Sequence, residues 1–255
     1  MSLSFYKYQG TGNDFIMIDD RQNKFDLNNH ELVRSLCNRK FGIGADGLIL
    51  VREHPSLDFE MIYFNSDASR SLCGNGSRCV VDFARYLNIV DEKCHFQAYD
   101  GEHFAFIEDG VVHLKMNDVS ELKPIGDDLF INSGSPHYIK FVDELETLDV
   151  VTEARKIRYN PTFKDQGVNV NFVQIKDEHQ VLVRTYERGV ENETLSCGTG
   201  VTAVSLALSF KNQQSPLKIS TPGGQLTVTF NKNPDHTFSD IFLIGPVEMV
   251  FKGSI

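Results

Sequence analysis

Basic residues are scarce in this chain. Lys and Arg number 25 against 35 Asp and Glu, a net charge of −10 over 255 residues, with an isoelectric point near 5.2. Phosphate binding needs a concentrated basic face, so neither nucleic acid nor an anionic membrane surface is an expected partner. Long apolar runs are missing as well. The longest uncharged stretch, residues 194–210, is rich in Ser, Thr and Gly. It falls short of the roughly 20 mostly apolar residues that a membrane span needs. The opening MSLSFYKYQG has no apolar core, so no secretory leader is expected. The 5 cysteines are odd in number and too sparse for a disulfide scaffold. They fit a reducing, cytoplasmic compartment. No C-x-x-C, H-x-H or H-E-x-x-H occurs and the 8 histidines are scattered, so no metal site is expected. There is no Walker A motif. Gly42-x-Gly44-x-x-Gly47 spells a dinucleotide fingerprint, but a helical stretch precedes it and a strand follows, the reverse of what that motif requires. It reads as a tight helix-to-strand turn. What remains is a globular composition, 41% hydrophobic with 19 glycines. Its length suits one large or two modest domains.

The chain repeats itself once. GTGNDFIMID (10–19) lies over GSPHYIKFVD (134–143), and FGIGADGLIL (41–50) over QGVNVNFVQI (166–175). DFEMIYFN (58–65) lies over QVLVRTYE (180–187), and CGNGSRCVVDFARYL (73–87) over CGTGVTAVSLALSF (197–210). FQAYDGEHFAF (96–106) lies over KISTPGGQLTV (218–228). The five blocks keep their order at offsets of 122 to 125 residues, which points to an internal duplication. Short β-branched and aromatic runs predict strands at FIMID, LILV, FEMIYF, FQAYD and VVHLKM. In the second half the same holds for YIKFV, VNFVQI, QVLVRTY, LKIST, LTVTF and IFLIG. Apolar helices are predicted over 79–87 and 201–210, the second apolar nearly all round and so expected inside a curled sheet. Further helices are predicted near 30–39 and 148–156. The expected class is α+β (α/β), with two similar domains over 1–120 and 121–246 and a seam in 118–128, where Pro124 and charges cluster.

Cys73 and Cys197 are the positions where this duplication meets reactive chemistry. Each ends a strand and loop, opens a helix and is followed by Gly-x-Gly. Glycine lets a ligand approach the backbone, and a helix N-terminus attracts an anion and lowers the pKa of a nearby thiol. One such cysteine alone would read as a buried structural thiol. Two at duplicated positions would face each other across a cleft between pseudo-symmetric domains, which is the expected active site. Cys37, Cys79 and Cys94 have no counterpart in the other half and read as core or surface thiols. Two matched thiols flanking one small carboxylate suit racemisation or epimerisation at an α-carbon: one removes the proton and the other delivers one. The helix N-termini would stabilise the carboxylate as charge builds up on it. No cofactor is implied.

With these motifs the sequence resembles the diaminopimelate epimerase family. The resemblance spans GTGNDF, FGIGADG, FNSD, CGNGSRC, SPHY, NVNFVQ, YERG, CGTG, STPGG and IGP. It implies two pseudo-symmetric halves, each a curled, mostly antiparallel sheet around a central helix, with 247–255 crossing back to the first. It implies a cofactor-independent enzyme interconverting LL- and meso-diaminopimelate, a precursor for lysine and peptidoglycan. By the same resemblance Cys73 and Cys197 are the catalytic thiols, and Gly74, Asn75, Gly198 and Thr199 hold the reacting carboxylate. Asn13, Asn65, Asn169, Glu187 and Arg188 bind substrate, and His137 and Glu187 tune the thiols. Asn13 pairs with His137 in the duplication, and Asn65 with Glu187. Departures from the family fall in the loops before each cysteine, at Arg70 in place of an acidic residue, at Ser135 and at Gly47. Three other readings stay open. One is a proline or hydroxyproline racemase of the same superfamily, which would have no second carboxylate for Arg188 to clamp. The others are a thiol redox or sensing protein and a non-catalytic binding module. The sequence leaves the oligomeric state open, with a homodimer among the options.

Overall fold

The structure is a computed structural model that describes residues 3–177 and 180–255. The chain divides into two compact units. One runs to Leu114 and takes up Gly245–Ile255, and the other is Lys115–Ile244. The division falls slightly before the stretch in which Pro124 and its charged neighbours point to a seam. The reason lies in the backbone: Met116 N–H donates to Ile241 O, and Val119 and Phe238 exchange two hydrogen bonds. Those bonds commit residues 116–119 to the second unit.

In the first unit β1 (Ser4–Gly10) and β2 (Asn13–Asp19) form an antiparallel hairpin. A crossover through α1 (His30–Cys37) returns the chain to β3 (Gly47–Arg52), parallel to β2. β4 (Phe59–Asn65) is antiparallel to β3, and a second crossover through α2 (Gly74–Tyr86) leads to β5 (Lys93–Ala98), parallel to β4. β6 (Gly101–Glu108) and β7 (Val111–Lys115) extend the sheet as a meander. Parallel neighbours need such crossovers, and helices supply them here. α1 and α2 cover opposite faces of β2–β4. Val33 and Leu36 of α1 pack with Ile16, Ile18, Leu48, Leu50, Ile62 and Phe64. On the other face Gly76 of α2 lies against Phe15 and Ile49, and Ser77 Oγ reaches Met61 Sδ. Burial on both faces is why GLILVR reads as an unbroken apolar run and not as an alternating strand.

The second unit repeats this plan. β8 (Leu122–Ile125), β9 (Asp128–Asn132) and β10 (Pro136–Phe141) are antiparallel in turn. α3 (Val150–Arg158) crosses to β11 (Asn169–Ile175), parallel to β10. β12 (Val181–Glu187) follows antiparallel, with a short β13 (Asn192–Thr194) folded back on its end. α4 (Gly198–Leu208) crosses to β14 (Leu217–Thr221), parallel to β12, and β15 (Gly224–Lys232) and β16 (Phe238–Gly245) complete the meander. Every residue of α4 except Thr199 is buried. The final strand, β17 (Glu248–Ser254), pairs antiparallel with β1 in the first unit. It takes there the edge that β8 takes beside β9, so each unit reproduces the other's order of parallel and antiparallel neighbours.

The ladders also correct the duplication in detail. Phe15 pairs with Gly47 and Ile139 with Asn171, so Gly47 is the counterpart of Asn171 at offset 124, where the aligned blocks give 125. A one-residue slip matters because it moves a side chain to the opposite face of the sheet. The two central helices begin directly after the cysteines, as those motifs imply, and ahead of the apolar windows at 79–87 and 201–210, because glycine-rich first turns carry little apolar periodicity. The Gly42–Gly47 stretch does connect α1 to β3, with Gly44 at φ +80°.

Candidate active site

Two kinds of helix start occur in this protein. α1 and α3 are closed by side chains: Asn29 Oδ1 accepts from Leu32 N–H and Asp149 Oδ1 from Thr152 N–H. Each also carries an acid in its first turn, Glu31 and Glu153. α2 and α4 have neither feature. Their N-caps are Cys73 (φ −132°, ψ 114°) and Cys197 (φ −123°, ψ 110°), neither sulfur caps its own helix, and no acid sits in either first turn. First-turn amides have no intrahelical acceptor, and the helix dipole concentrates positive potential there. The N-cap side chains of α1 and α3 therefore close their helices, whereas those of α2 and α4 do not, and a sulfur stands at each of those starts.

Around Cys73 the structure gathers Asn13 and Asn75. Cys73 Sγ lies 3.6 Å from Asn13 Oδ1, and Asn75 Nδ2 donates to the same oxygen at 3.2 Å. The Asn13 amide is oriented from behind, because its Nδ2 donates to Asp46 Oδ2. Asp46 is held in turn by Arg39, which also clamps Asp14 at 2.9 and 2.6 Å. Burial alone would raise the Asp14 carboxyl, but hydrogen bonds from Arg39 and Lys7 hold it down to about 2. The network keeps the turn ahead of β3 rigid.

Around Cys197 the structure gathers His137 and Thr199. Thr199 Oγ1 lies 3.5 Å from Cys197 Sγ and 2.9 Å from His137 Nε2. His137 is fully buried. Desolvation, aided by the charge of Arg188, lowers its pKa to about 3, so the ring is neutral at neutral pH. Asn13 and His137 thus do equivalent work. Each contacts the residue two positions after its unit's cysteine.

The remaining sequence-derived residues lie around these centres. Gly74 and Gly198 are the first residues of α2 and α4. Asn65 ends β4 and organises its own loop, donating from Nδ2 to Ser69 Oγ at 2.9 Å and Ser71 Oγ at 3.0 Å. Asn169 brackets two segments: its Nδ2 donates to Ser135 Oγ and Pro136 O, and its Oδ1 accepts from Arg188 N–H at 2.8 Å. The Arg188 side chain donates to Gln166 O at 3.0 Å and is otherwise exposed. Glu187 is half-buried at the end of β12. Arg70 stacks over Phe64 and Tyr99, 5.5 and 5.9 Å from the ring centroids. At Gly47 a Cβ would sit 2.3 Å from Tyr63 Cε2, so no side chain fits there. Cys37, Cys79 and Cys94 are buried, and desolvation raises each thiol, to about 11 for Cys37 and about 12 for Cys94. They stay protonated at neutral pH. Among the described residues no cluster of His, Cys, Asp and Glu could hold a metal ion, and no helix is long and apolar enough to cross a membrane.

Sequence reasoning missed Asp46, Asn171, Thr185 and Arg78. Asp46 and Asn171 lie inside quoted motifs, FGIGADG and NVNF, where a polar residue at the end of an apolar strand was the available signal. Arg78 is fully buried, and its Nη2 donates to Thr11 Oγ1 at 3.3 Å. Among the described residues its Nε and Nη1 find no hydrogen-bond acceptor.

The fold defines the class first. It is shared with a phenazine biosynthesis protein of the PhzF family from Bacillus anthracis (TM-score 0.79, 12% identity, covering 100% of this chain and 99% of that one). It is also shared with a probable proline racemase from Agrobacterium radiobacter (TM-score 0.68, 16% identity, 99% and 92%). The model of the diaminopimelate epimerase family matches residues 5–117 and 129–250. The diaminopimelate epimerase of Flavobacterium psychrophilum is 48% identical over 257 residues, covering 99% of this chain and 100% of that protein. That of Aquifex aeolicus is 38% identical over 278 residues, covering 99% and 98%. The chain belongs to the diaminopimelate epimerase family.

Proposed function

We propose that this protein interconverts LL- and meso-diaminopimelate by a two-thiol mechanism without a cofactor, in the cytoplasm. The observation that carries this reading is the pair of helices that each start at a cysteine, with matching backbone angles and no acid in the first turn. Family membership supplies the substrate. The reading requires the two units to present their sulfurs to opposite faces of one α-carbon. The thiolate on one side takes the α-proton as the C–H bond breaks, and the electron pair moves into the α-carboxylate. The thiol on the other side then delivers its proton to carbon. The sulfurs finish with exchanged protonation, and transfer through solvent resets them.

First-turn amides at Gly74–Asn75 and Gly198–Thr199 act as fixed donors to the carboxylate when charge builds up on it. Arg188 clamps the distal carboxylate, with Asn13, Asn65, Asn169 and Glu187 completing recognition of the distal amino-acid end. A guanidinium fork suits that task because it binds a carboxylate through two parallel hydrogen bonds. The test is incubation of LL-diaminopimelate with the purified protein and no added cofactor, followed by chiral separation. Meso isomer is expected. No conversion of diaminopimelate, or racemisation of proline in its place, would overturn the reading.

A further inference from the structure

Asn171 lies behind His137 in the second unit and takes no part in the chemistry above. It is fully buried, and both ends of its amide are committed. Thr185 Oγ1 donates to Asn171 Oδ1 at 3.0 Å. Tyr138 O can only accept, so the amide atom 3.1 Å from it is the donor Nδ2, which also lies 3.0 Å from His137 Nδ1. The assignment follows from the hydrogen-bond network. A neutral imidazole that accepts at Nδ1 must carry its proton on Nε2. That proton points to Thr199 Oγ1, 2.9 Å away. A hydroxyl that accepts there has its own proton left to give, and Cys197 Sγ is 3.5 Å away. The room for this arrangement comes from Gly200, where a Cβ would stand 2.5 Å from Asn171 Oδ1.

We propose that Asn171 is a positioning residue that fixes His137 as the Nε2–H tautomer, so that the Thr199 hydroxyl donates to the Cys197 sulfur and favours its thiolate. The relay runs in one direction, from Thr185 through Asn171, His137 and Thr199 to the sulfur. It rests on the reading of Cys197 as a reacting thiol. A hydrogen bond to the charged form of an acid favours that form. With the ring reversed, Nε2 would accept from Thr199 and draw the hydroxyl proton away from sulfur.

Few charges compete with this relay. α4 carries no ionisable residue in its sequence GTGVTAVSLAL, and neither does β11 in NVNFVQI. Asp128 on β9 is taken up by Tyr138 Oη at 2.7 Å and Lys140. Arg184 on β12 is paired with Glu193. Arg188 and Glu187 lie at the end of β12, and Arg188 is exposed to solvent screening.

The test reads proton positions and thiol reactivity, not turnover. Nitrogen-15 NMR of the imidazole should show His137 protonated on Nε2 from about pH 5 to 9. The pH midpoint for alkylation of Cys197 by iodoacetamide, read by peptide mapping, should rise by about half to one unit in Asn171→Leu. At pH 7 that is a loss of roughly three- to tenfold in rate, while the midpoint for Cys73 stays put. Thr199→Val should raise the Cys197 midpoint equally and leave the His137 tautomer unchanged, and Thr199→Ser should restore the midpoint. A wild-type His137 protonated on Nδ1 would overturn the proposal, as would a Cys197 midpoint unmoved in Thr199→Val. The wild-type spectrum decides even if Asn171→Leu fails to fold. A protein that passes these tests but does not epimerise diaminopimelate would refute the proposed function and leave the relay standing.

Discussion

The two units share a backbone and differ at the sulfur. Both place a cysteine at the start of a buried helix with nearly the same φ and ψ. In the first unit the sulfur faces Asn13 Oδ1, an oxygen that can only accept. In the second it faces the hydroxyl of Thr199, which stands against a neutral histidine. Five residues beyond each cysteine the contrast repeats. Arg78 is a buried guanidinium whose Nε and Nη1 find no acceptor among the described residues, whereas Thr202 satisfies its hydroxyl locally at Gly198 O, 3.0 Å away. The duplication has kept what positions the thiols and changed what surrounds them. A symmetric backbone thus holds two thiols with different neighbours.

The sharpest way to break the comparison is to remove one sulfur at a time. Cys73→Ala and Cys197→Ala should each lower the epimerisation rate by about a thousandfold or more, since neither thiol can stand in for the other. Cys37→Ala, Cys79→Ala and Cys94→Ser should keep most of it. Steady-state rates in both directions check this, and near-normal turnover of either single variant would end the two-thiol account. The next effect belongs to the second unit alone. Arg188→Ala should cost about 2–4 kcal/mol in kcat/KM, and Arg188→Lys less, because an ammonium keeps the charge but not the fork. Unchanged kinetics in Arg188→Ala would remove the argument for a substrate with two carboxylates.

A smaller effect separates His137 from Asn13, which does not titrate. The His137 pKa near 3 in the folded protein lies below the ordinary histidine value, so the unfolded chain binds the extra proton. Its contribution to stability is complete above about pH 6.5 and is lost as pH falls toward the folded value. Between pH 7.5 and 5 the wild type should lose about 2 kcal/mol more than His137→Gln, by denaturant unfolding at each pH. Equal losses would show that His137 is charged in the folded state. The smallest effect contrasts Arg78 with Thr202. Replacing a buried charge by an apolar side chain of similar length removes a desolvation cost. Arg78→Met should therefore melt no lower than the wild type, and a clear drop would show that the guanidinium holds the unit together.

Much of this was legible in the sequence, for physical reasons. Strands buried on one or both faces announce themselves by apolar runs, and both cysteine motifs carry their helix starts in the glycines. β1, β6, β8, β9 and β13 were not foreseen, and segments such as LKPI and NET lack apolar periodicity. The register of the block 41–50 was off by one because GADG and VNVN can be aligned either way until the ladder fixes Gly47 opposite Phe15 and Asn171 opposite Ile139. The thiols and Asn13 with His137 stood out through the duplication. Asp46 and Asn171 did not, because their work is to orient another side chain, and that depends on distances that no spacing in the chain encodes.

The central claim is that two monoprotic thiols, one on each unit, share one α-carbon. It is tested most directly by early turnover of LL-diaminopimelate in deuterium oxide, with product and unreacted substrate analysed separately by mass spectrometry. The account predicts one solvent deuteron in nearly every meso molecule formed and almost none in the remaining LL substrate, because the sulfur that removes the proton is not the one that delivers it. Meso product that retains the substrate's own proton would mean that a single base serves both faces, and the two-thiol account would be wrong.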